Sequence, residues 1–257
     1  MTGVTSVYTV GGIQAIAAMT LGTETIPAVY KIFGPGNQYV TAAKQKALKH
    51  GTAIDMPAGP SELLVIADSA CNADFVAADL LSQAEHGSDS QVMILSDDNE
   101  VIDKVMKSLE RQLPLLPRRL IAASALGHSK AILMKTLDEC IDLSNCYAPE
   151  HLIIATDNPA RLIGKVTNAG SVFLGHFSCE SAGDYATGTN HTLPTNGNAR
   201  SYSGVSLDSF VKKITFQEIT SGGLGLIGNE IIKMAETEGL TAHAKAISVR
   251  LKQGRNG

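Results

Sequence analysis

The hydrophobic positions of this chain form short apolar runs that alternate with longer segments of helical periodicity. The clearest case begins at Leu63, where a continuous apolar run precedes a segment whose apolar positions recur three and four residues apart after Asn72. Buried parallel strands are apolar throughout, whereas the helices that cover them are apolar on one side. The pattern therefore predicts an α/β fold with parallel sheets.

This alternation is most regular between residues 63 and 175, which we interpret as one α/β domain. The predicted strands are residues 63–67, 91–95, 131–134, 151–155 and 171–174. The predicted helices are residues 74–85, 101–113 and 137–146, and a further helix begins at Asn158 (N-cap) and Pro159 (first residue). The basic pair Arg118 and Arg119, which follows Pro117, is predicted to form a surface turn.

A less complete set of elements comes before this domain. Residues 7–10 and 29–33 are predicted strands, and each leads through a glycine-containing turn into a helix, at residues 14–21 and 38–49. The sequence PAGP at residues 57–60 indicates a boundary. The predicted fold class is therefore α/β, with two incomplete Rossmann-like parallel-sheet domains, residues 1–60 and 61–205, and a helical C-terminal tail, residues 206–257.

A polar loop and two helices complete the chain. Residues 177–203 are rich in Gly, Ser, Thr and Asn and lack periodicity, which is typical of a functional loop or a disordered segment. Residues 224–238 and 241–251 are predicted helices separated by Gly239 as a C-cap. Their apolar face needs a surface to pack against, and a partner subunit is one candidate. This face consists of Leu226, Ile227, Ile231 and Met234.

Composition narrows the class of protein. Hydrophobic residues make up 44% of the chain and charged residues 18%, so a folded protein is expected. The net charge of −4 gives no electrostatic case for nucleic acid or an anionic membrane. We see no membrane-spanning run and no secretory signal in residues 1–10, and the four cysteines lack CxxC spacing. The expected location is the cytoplasm, or an organelle whose targeting segment is not in this sequence.

The first candidate site is a polar stripe on the helix predicted at residues 74–85. Asp79, Gln83 and His86 lie four and three residues apart, so a helix would place them on one face. A carboxylate, an amide oxygen and an imidazole can form half of a divalent-metal site, which Asp184 and His243 can complete. The alternative is a solvated helix face with a capping histidine.

Two other motifs carry potential chemistry. Glu150 and His151 precede a strand, and neighbouring side chains of an extended chain point to opposite faces. The two residues can therefore act on one substrate only if the turn at Pro149 breaks this alternation. The alternative is a surface glutamate and a histidine packed under the sheet. Residues 34–37 (GPGN) precede a helix whose N-terminus favours an anion, although the motif also fits an ordinary tight turn. Cys179 in the polar loop has no visible neighbour that would lower its pKa.

The motifs IDMPAGPSE, LLVIAD and LLSQAEHG resemble the signature region of histidinol dehydrogenases, the enzymes that complete histidine biosynthesis. The likeness continues in the same order with VGGIQAIA, KIFGPGN, YAPEHLII, GSVFLG, ESAGDYATGTNHTLPT and LTAHAKA. It extends from Thr9 to the C-terminus. Family chains carry a long segment ahead of the VGGIQ motif, whereas this sequence begins only a few residues before it.

The resemblance implies an NAD-dependent oxidation of L-histidinol through L-histidinal to L-histidine. His151 would accept the alcohol proton, and Glu150 would activate the water that hydrates the aldehyde. The implied zinc ligands are Gln83, His86, Asp184 and His243, and the zinc would hold the imidazole and the amino group of the substrate. His191 is a rival ligand that we leave out of the site. The implied NAD contacts are Gln14 and Asn37, and the implied substrate contacts are Ser61, Gln83, His86, Glu150, His151, Asp184, Glu238 and His243.

The resemblance also implies that different parts of the chain have different functions. Residues 1–60 would be the remainder of a dinucleotide-binding domain, residues 61–205 would carry zinc and substrate, and residues 206–257 would form a dimerisation tail. Glu238 and His243 would reach into the site of the neighbouring subunit, so the active form would be a homodimer. Two alternatives stay open: a truncated zinc-binding remnant without dehydrogenase activity, and a non-redox zinc hydrolase that uses Glu150 and a metal-bound water.

Overall fold

The structure is a computed structural model that describes residues 3–253. The described residues divide into two compact units that meet in sequence between Phe210 and Val211. The first unit contains both β-sheets, and the second consists of two helices. The predicted boundary near residue 60 lies inside the first unit and stays a prediction.

The sheets of the first unit are parallel throughout, as the apolar runs predict. A small sheet pairs β1 (Lys31–Ile32) with β2 (Ala53–Ile54). The larger sheet has the order β5-β4-β3-β6-β7, so the chain starts in the middle and moves outward in both directions. This is the strand order of a Rossmann-like sheet. The larger sheet consists of β3 (Glu62–Ala67), β4 (Gln91–Ser96), β5 (Lys130–Leu133), β6 (His151–Ala155) and β7 (Ser171–Leu174).

Helices cover both faces of the larger sheet, because its central strand alternates apolar side chains between two cores. Leu63 and Val65 pack in a cluster with helices α3 (Ala73–Ala84) and α4 (Asn99–Gln112). Leu64 and Ile66 pack on the opposite face with α6 (Leu137–Tyr147). The other helices are α1 (Gly12–Leu21), α2 (Gln38–Ala47), α5 (Arg119–Leu126), α7 (Ala160–Ile163), α8 (Glu180–Tyr185), α9 (Ser221–Thr237) and α10 (Thr241–Gln253).

Local sequence determines where the main helices begin. The side chain of Asn72 accepts hydrogen bonds from the backbone N–H groups of Asp74 and Phe75, and Thr136 accepts one from Glu139. Gly239 ends the first tail helix with a φ of +74°, the left-handed conformation that favours glycine. The predicted N-cap at Asn158 is displaced by one residue, because Pro159 occupies that position.

The first 60 residues differ most from the sequence prediction. Residues 7–10 do not form a strand, and their side chains are exposed, so an apolar run alone was not sufficient to place them in a sheet. The predicted strand at residues 29–33 is reduced to two residues, and its partner β2 was not predicted because two residues carry no periodicity. A buried ion pair between Lys44 and Asp55 lies under the turn that begins at Gly34.

Two further corrections concern segments predicted to be irregular. Pro117 and Arg118 form a turn and both arginines are exposed, so the predicted surface turn is confirmed at Arg118, whereas Arg119 is the first residue of helix α5. The apolar residues Ala122 and Ala125 explain the helix, because both are buried under the sheet. The loop at residues 177–203 contains α8 and a 3-10 turn, Asn198–Arg200. Among residues 3–253, no helix is both long and apolar enough to cross a membrane.

The second unit is a pair of helices, as predicted. Gly228 of α9 lies so close to α10 that an added Cβ would come within 2.8 Å of Leu251. This close approach brings the two helices together along Leu224, Gly228 and Ala235, the buried positions of α9. Most of the predicted apolar face points elsewhere, since Leu226 is 86% exposed and Met234 is 67% exposed.

Candidate active site

The candidate site is built at the starts of two neighbouring strands of the larger sheet. Strands β3 and β6 are adjacent and parallel, which brings Glu62, the first residue of β3, close to Glu150 and His151. The backbone N–H of Glu62 donates to the Glu150 carboxylate at 2.9 Å, and the Nδ1 of His151 lies 3.2 Å from the Glu62 carbonyl. All three side chains are buried.

The turn before β6 resolves how Glu150 and His151 can share one site. Helix α6 ends at Ala148 in the left-handed region, with a φ of 58°, so the chain reverses just before Glu150. The Cα of Gly170 packs against this turn, and an added Cβ would lie 2.5 Å from the Glu150 carbonyl oxygen. As a result, Glu150 Oε2 and His151 Nδ1 are only 3.6 Å apart. The two side chains are therefore within reach of each other in spite of the alternation expected of an extended chain.

Helices α3 and α8 add a second group of polar side chains. Because α3 runs back along the sheet after β3, its last turn returns to the edge where the strands begin. There the Ser82 hydroxyl donates to Glu180 at 3.1 Å. The end of the Gln83 amide also faces Glu180, with one terminal atom 3.0 and 3.1 Å from the two oxygens; opposite an ionised carboxylate, this atom is assigned as the nitrogen, which donates. Asp184 lies one helical turn beyond Glu180.

These two groups meet around His151. One ligand atom from each of His151, Glu180 and Asp184 lies within 4.8 Å of the others. The Nε2 atom of His151 is 3.9 Å from the Asp184 carboxylate, and it is buried without a hydrogen-bond partner within the described part of the chain. An imidazole nitrogen and carboxylate oxygens are a donor set that suits zinc, and Asp184 of this cluster is also one of the predicted zinc ligands. The residues present therefore fit the implied metal.

Burial determines the electrostatics of the site. Desolvation raises the pKa of Glu62 to about 7 and that of Glu150 well above its ordinary value. Burial, reinforced by the neighbouring Asp184, raises the pKa of Glu180 to about 8. Desolvation lowers the pKa of His151 to about 4, so its imidazole is neutral at pH 7. A neutral imidazole can accept a proton or bind a metal ion.

The structure brings some of the predicted metal ligands together but not all of them. Gln83 and Asp184 both contact or adjoin Glu180, so the structure brings them together. His86 lies beyond the end of α3 and is exposed, but it is near enough to contribute to the lowered pKa of His151. His243 belongs to the second unit, where it is exposed in the first turn of α10. His191, the rival ligand, is exposed and also lies near His151.

The predicted cofactor and substrate residues lie in three places. Asn37 and Ser61 line one open groove of about 290 Å³, together with His86. The Asn37 side chain also caps α2 by accepting hydrogen bonds from Tyr39 and Val40. Gln14 is exposed on α1, outside that groove. Glu238 is the exposed C-cap of α9 in the second unit.

Sequence reasoning missed two buried carboxylates of the site, Glu62 and Glu180. Glu62 follows Ser61 at the start of a strand, so its side chain could have been expected to lie near the same strand edge as Glu150. Glu180 precedes Asp184 by four residues, a spacing that places both on one face if the loop forms a helix. The sequence did not predict helix α8, and it predicted strand β6 without its pairing to β3.

Comparison with known proteins identifies relatives over nearly all of the chain. The family model of histidinol dehydrogenase matches residues 1–251. The histidinol dehydrogenases of Bacteroides thetaiotaomicron and Bacteroides fragilis are each 60% identical, over 98% and 99% of this chain and 59% and 60% of their own. A crystal structure of histidinol dehydrogenase from Elizabethkingia anophelis is 63% identical, with a TM-score of 0.95 over 98% of this chain and 58% of that one.

The similarity thus covers this chain almost completely but only part of each relative. The chain spans 59% and 60% of the length of the two Bacteroides enzymes. The fold agreement with the Elizabethkingia structure includes the parallel sheets and the helices described above. The chain belongs to the histidinol dehydrogenase family.

Proposed function

We propose that this chain carries the acid–base and metal-binding groups for the NAD-dependent oxidation of L-histidinol through L-histidinal to L-histidine. Family membership supports the reaction class. The observation that carries the proposal is His151: a buried, neutral imidazole whose Nε2 has no partner in the described residues and faces Asp184, beside the buried carboxylate of Glu150. The proposed compartment is the cytoplasm, in keeping with the four free cysteines of residues 3–253.

The proposed base is His151. Its Nδ1 lies 3.2 Å from the Glu62 carbonyl, an acceptor, which assigns the ring hydrogen to Nδ1 and leaves the lone pair on Nε2. Because burial lowers the pKa of His151 to about 4, the ring is neutral and ready to accept a proton at pH 7. Nε2 would take the hydroxyl proton of the alcohol in the first oxidation and that of the aldehyde hydrate in the second.

The proposed role of Glu150 is to prepare the water that adds to the aldehyde. Its carboxylate lies 3.6 Å from His151, so the two groups can act on the same carbon atom of a bound substrate. Burial raises the pKa of Glu150, which makes its ionised form a stronger base than an exposed carboxylate. It would accept a proton from water as the water oxygen bonds to the carbonyl carbon.

The other site residues would bind and orient the reactants. Gln83, His86 and Asp184, with His243, would hold zinc, and Asn37, Ser61 and Gln14 would contact NAD or substrate. When bound, zinc supplies a fixed point for the imidazole and amino group of the substrate, and NAD accepts the electrons of each oxidation. The exposed Leu226 and Met234 support a homodimer in which Glu238 and His243 serve the neighbouring site.

The test is to supply the purified chain with zinc, NAD and L-histidinol and to follow the ultraviolet absorbance of NADH together with the histidine produced. We expect two molecules of NADH for each molecule of histidine. If the chain binds zinc and histidinol but forms no NADH, it is the zinc-binding remnant. If it hydrolyses esters without NAD, the hydrolase alternative is correct.

A further inference from the structure

We propose that Lys44 and Asp55 are positioning residues that hold the turn at residues 34–37 in one conformation, and thereby place Asn37 at the groove where NAD would bind. This inference rests on the proposed function, because Asn37 is a proposed NAD contact. Lys44 and Asp55 do not line the groove themselves, so they would act on the cofactor only through the turn.

The ion pair of Lys44 and Asp55 contacts the backbone of Gly34 on both its donor and its acceptor. The Gly34 N–H donates to Asp55 Oδ2 at 2.7 Å, and Lys44 Nζ donates to the Gly34 carbonyl at 2.7 Å. Lys44 also donates to Asp55 Oδ1, which accepts in addition from the Met56 N–H at 2.6 Å. The side chains of Lys44 and Asp55 are 1% and 0% exposed, so water cannot replace these hydrogen bonds.

The turn needs this support because its own residues do not fix its conformation. Gly34 has a φ of +129°, which L side chains rarely adopt, and a second glycine, Gly36, follows Pro35. Glycine loses more conformational freedom on folding than any other residue, and Pro35 has no N–H with which to close the turn. A donor and an acceptor from outside the turn therefore select one conformation among several.

The energetics of buried charges favour this role over a purely stabilising one. Removing two charges from water costs about as much as their attraction gains, so apolar side chains of similar volume often stabilise a core equally well. Apolar side chains, however, would offer Gly34 neither a donor nor an acceptor. What Lys44 and Asp55 supply beyond an apolar pair is therefore their hydrogen bonds to the turn.

The turn forms part of the open groove of about 290 Å³. Pro35, Gly36 and Asn37 line it, together with Gly59 and Ser61. Gly36 and Gly59 carry no side chain, so a nucleotide can approach the main chain there, and helix α2 begins directly after Asn37 with N–H groups that favour an anion. The residues present therefore fit one part of a dinucleotide.

The test compares NAD binding by the full chain with that of two double variants. Lys44→Met combined with Asp55→Leu removes both charges together, so that neither is left buried alone, and removes both contacts to Gly34. Lys44→Met combined with Asp55→Asn keeps an oxygen that can accept from the Gly34 N–H. Equilibrium dialysis with NAD alone gives the dissociation constant.

We expect the variant with Asp55→Leu to weaken NAD binding about tenfold, as it would if about one molecule in ten kept the conformation that binds. The variant with Asp55→Asn should lose less, because one of the two contacts to Gly34 is retained. In assays with histidinol, both variants should raise KM for NAD and leave kcat at saturating NAD unchanged, because His151 lies outside the turn.

Val105→Ala is the control for a general loss of stability. Val105 of α4 is buried in the core cluster on one face of the larger sheet and does not line the groove, so this variant should lower the unfolding temperature and leave NAD binding unchanged. Circular dichroism and thermal unfolding show whether each variant folds. If the variant with Asp55→Leu does not fold, the variant with Asp55→Asn decides.

Three results would overturn the inference. If the folded double variants bind NAD like the wild type, Lys44 and Asp55 only stabilise the fold. If Val105→Ala weakens NAD binding as much as they do, the effect comes from stability alone. If the wild type does not bind NAD, the turn has no cofactor to position. NAD binding without NADH formation from histidinol would contradict only the proposed function.

Discussion

Acidic residues lie at both ends of the strands in the five-stranded sheet. The carboxyl edge is the side on which the parallel strands end, and the amino edge is the side on which they begin. The acidic residues at these two edges differ in their exposure to water. Rossmann-like sheets usually bind ligands at the edge where the strands end. Here that edge has Asp68, Asp97 and Asp157 around a cavity of about 420 Å³. The candidate site lies at the opposite edge, where β3 and β6 begin with Glu62 and His151. The general rule for this fold therefore points to a different edge from that of the candidate site.

Hydrogen bonding and burial distinguish the two edges. At the carboxyl edge, Asp68 accepts from the backbone N–H groups of Ala70 and Asp157, as an acidic residue in a turn commonly does. At the amino edge, burial raises the pKa of Glu62 and Glu150, which a protein tolerates mainly where the group has a function. Desolvated, incompletely paired groups therefore distinguish the candidate site from the carboxyl edge better than the number of carboxylates does.

The largest expected effect separates the edges by activity. His151→Ala removes the proposed base and should lower kcat for NADH formation from histidinol by about 10²–10⁴-fold. Asp97→Asn, an exposed change at the carboxyl edge, should leave kcat unchanged. Zinc content measured on both variants distinguishes a base from a ligand, because a base can be removed without loss of the metal. Equal activity of the two variants would remove the basis for placing the site at the amino edge.

The next effect is on stability and depends on pH. Glu62 Oε2 is buried without a partner within residues 3–253, and burial raises the pKa of Glu62 from 4.5 to about 7. Between these values the native carboxyl keeps a proton that the unfolded chain has lost, so its contribution to stability falls as pH rises and is lowest above pH 7. At about 1.4 kcal/mol for each tenfold change in proton affinity, this penalty is about 3 kcal/mol.

Glu62→Gln should remove this penalty, because an uncharged amide resembles the protonated acid. The amide also keeps an oxygen that can accept from the backbone N–H of Asn196, which lies 2.8 Å from Glu62 Oε1 in the wild type. The free energy of unfolding at pH 8 should exceed that of the wild type by up to about 3 kcal/mol, and the two should converge near pH 4. Urea denaturation at both pH values measures the difference. A constant difference across this range would show that Glu62 is not a desolvated acid.

How well each strand or helix could be predicted from the sequence depends on how clearly its own residues show the pattern of that element. The parallel strands β3, β4 and β6 were predicted almost to the residue, because a buried strand is apolar along its whole length. Residues 7–10 were wrongly predicted as a strand, because local apolarity does not supply a hydrogen-bonding neighbour. Short elements such as α8 were missed, since six residues rich in Gly, Ala and Ser show no clear helical period.

The sequence predicted which residues form the candidate site, but it did not predict how the fold brings them together. The roles of Glu150, His151 and the metal ligands come from family resemblance, and they stay predictions. The structure adds that β3 and β6 are neighbours, which brings Glu62 against Glu150 across 88 residues of sequence. No local pattern contains that pairing, because it depends on the order in which parallel strands assemble. For the same reason the buried pair of Gln83 and Glu180 could not be read from the helix stripe.

A smaller effect on stability is expected at the carboxyl edge. Asp68→Ala removes the acceptor of two backbone N–H groups, at 3.0 Å for Ala70 and 2.9 Å for Asp157. Both hydrogen bonds are exposed, so water replaces them in part and the cost should be about 1 kcal/mol of unfolding free energy. Asp68→Asn, which keeps one acceptor oxygen, should lose less. A cost as large as about 3 kcal/mol would mean that the two edges do not differ as proposed.

The smallest effect tests whether an unpaired buried atom alone marks a functional site. Thr156 lies directly after β6 at the carboxyl edge, and its Oγ1 is buried without a hydrogen-bond partner in the residues that the structure describes, like Nε2 of His151 at the other end. Thr156→Val keeps the shape and removes the unsatisfied hydroxyl, so the free energy of unfolding should stay the same or rise by up to about 1 kcal/mol. Thermal unfolding and zinc affinity are the measurements, and zinc affinity should not change. A loss of zinc binding or of activity in Thr156→Val would show that the carboxyl edge takes part in the chemistry, because burial of an uncharged hydroxyl is otherwise only a minor packing defect.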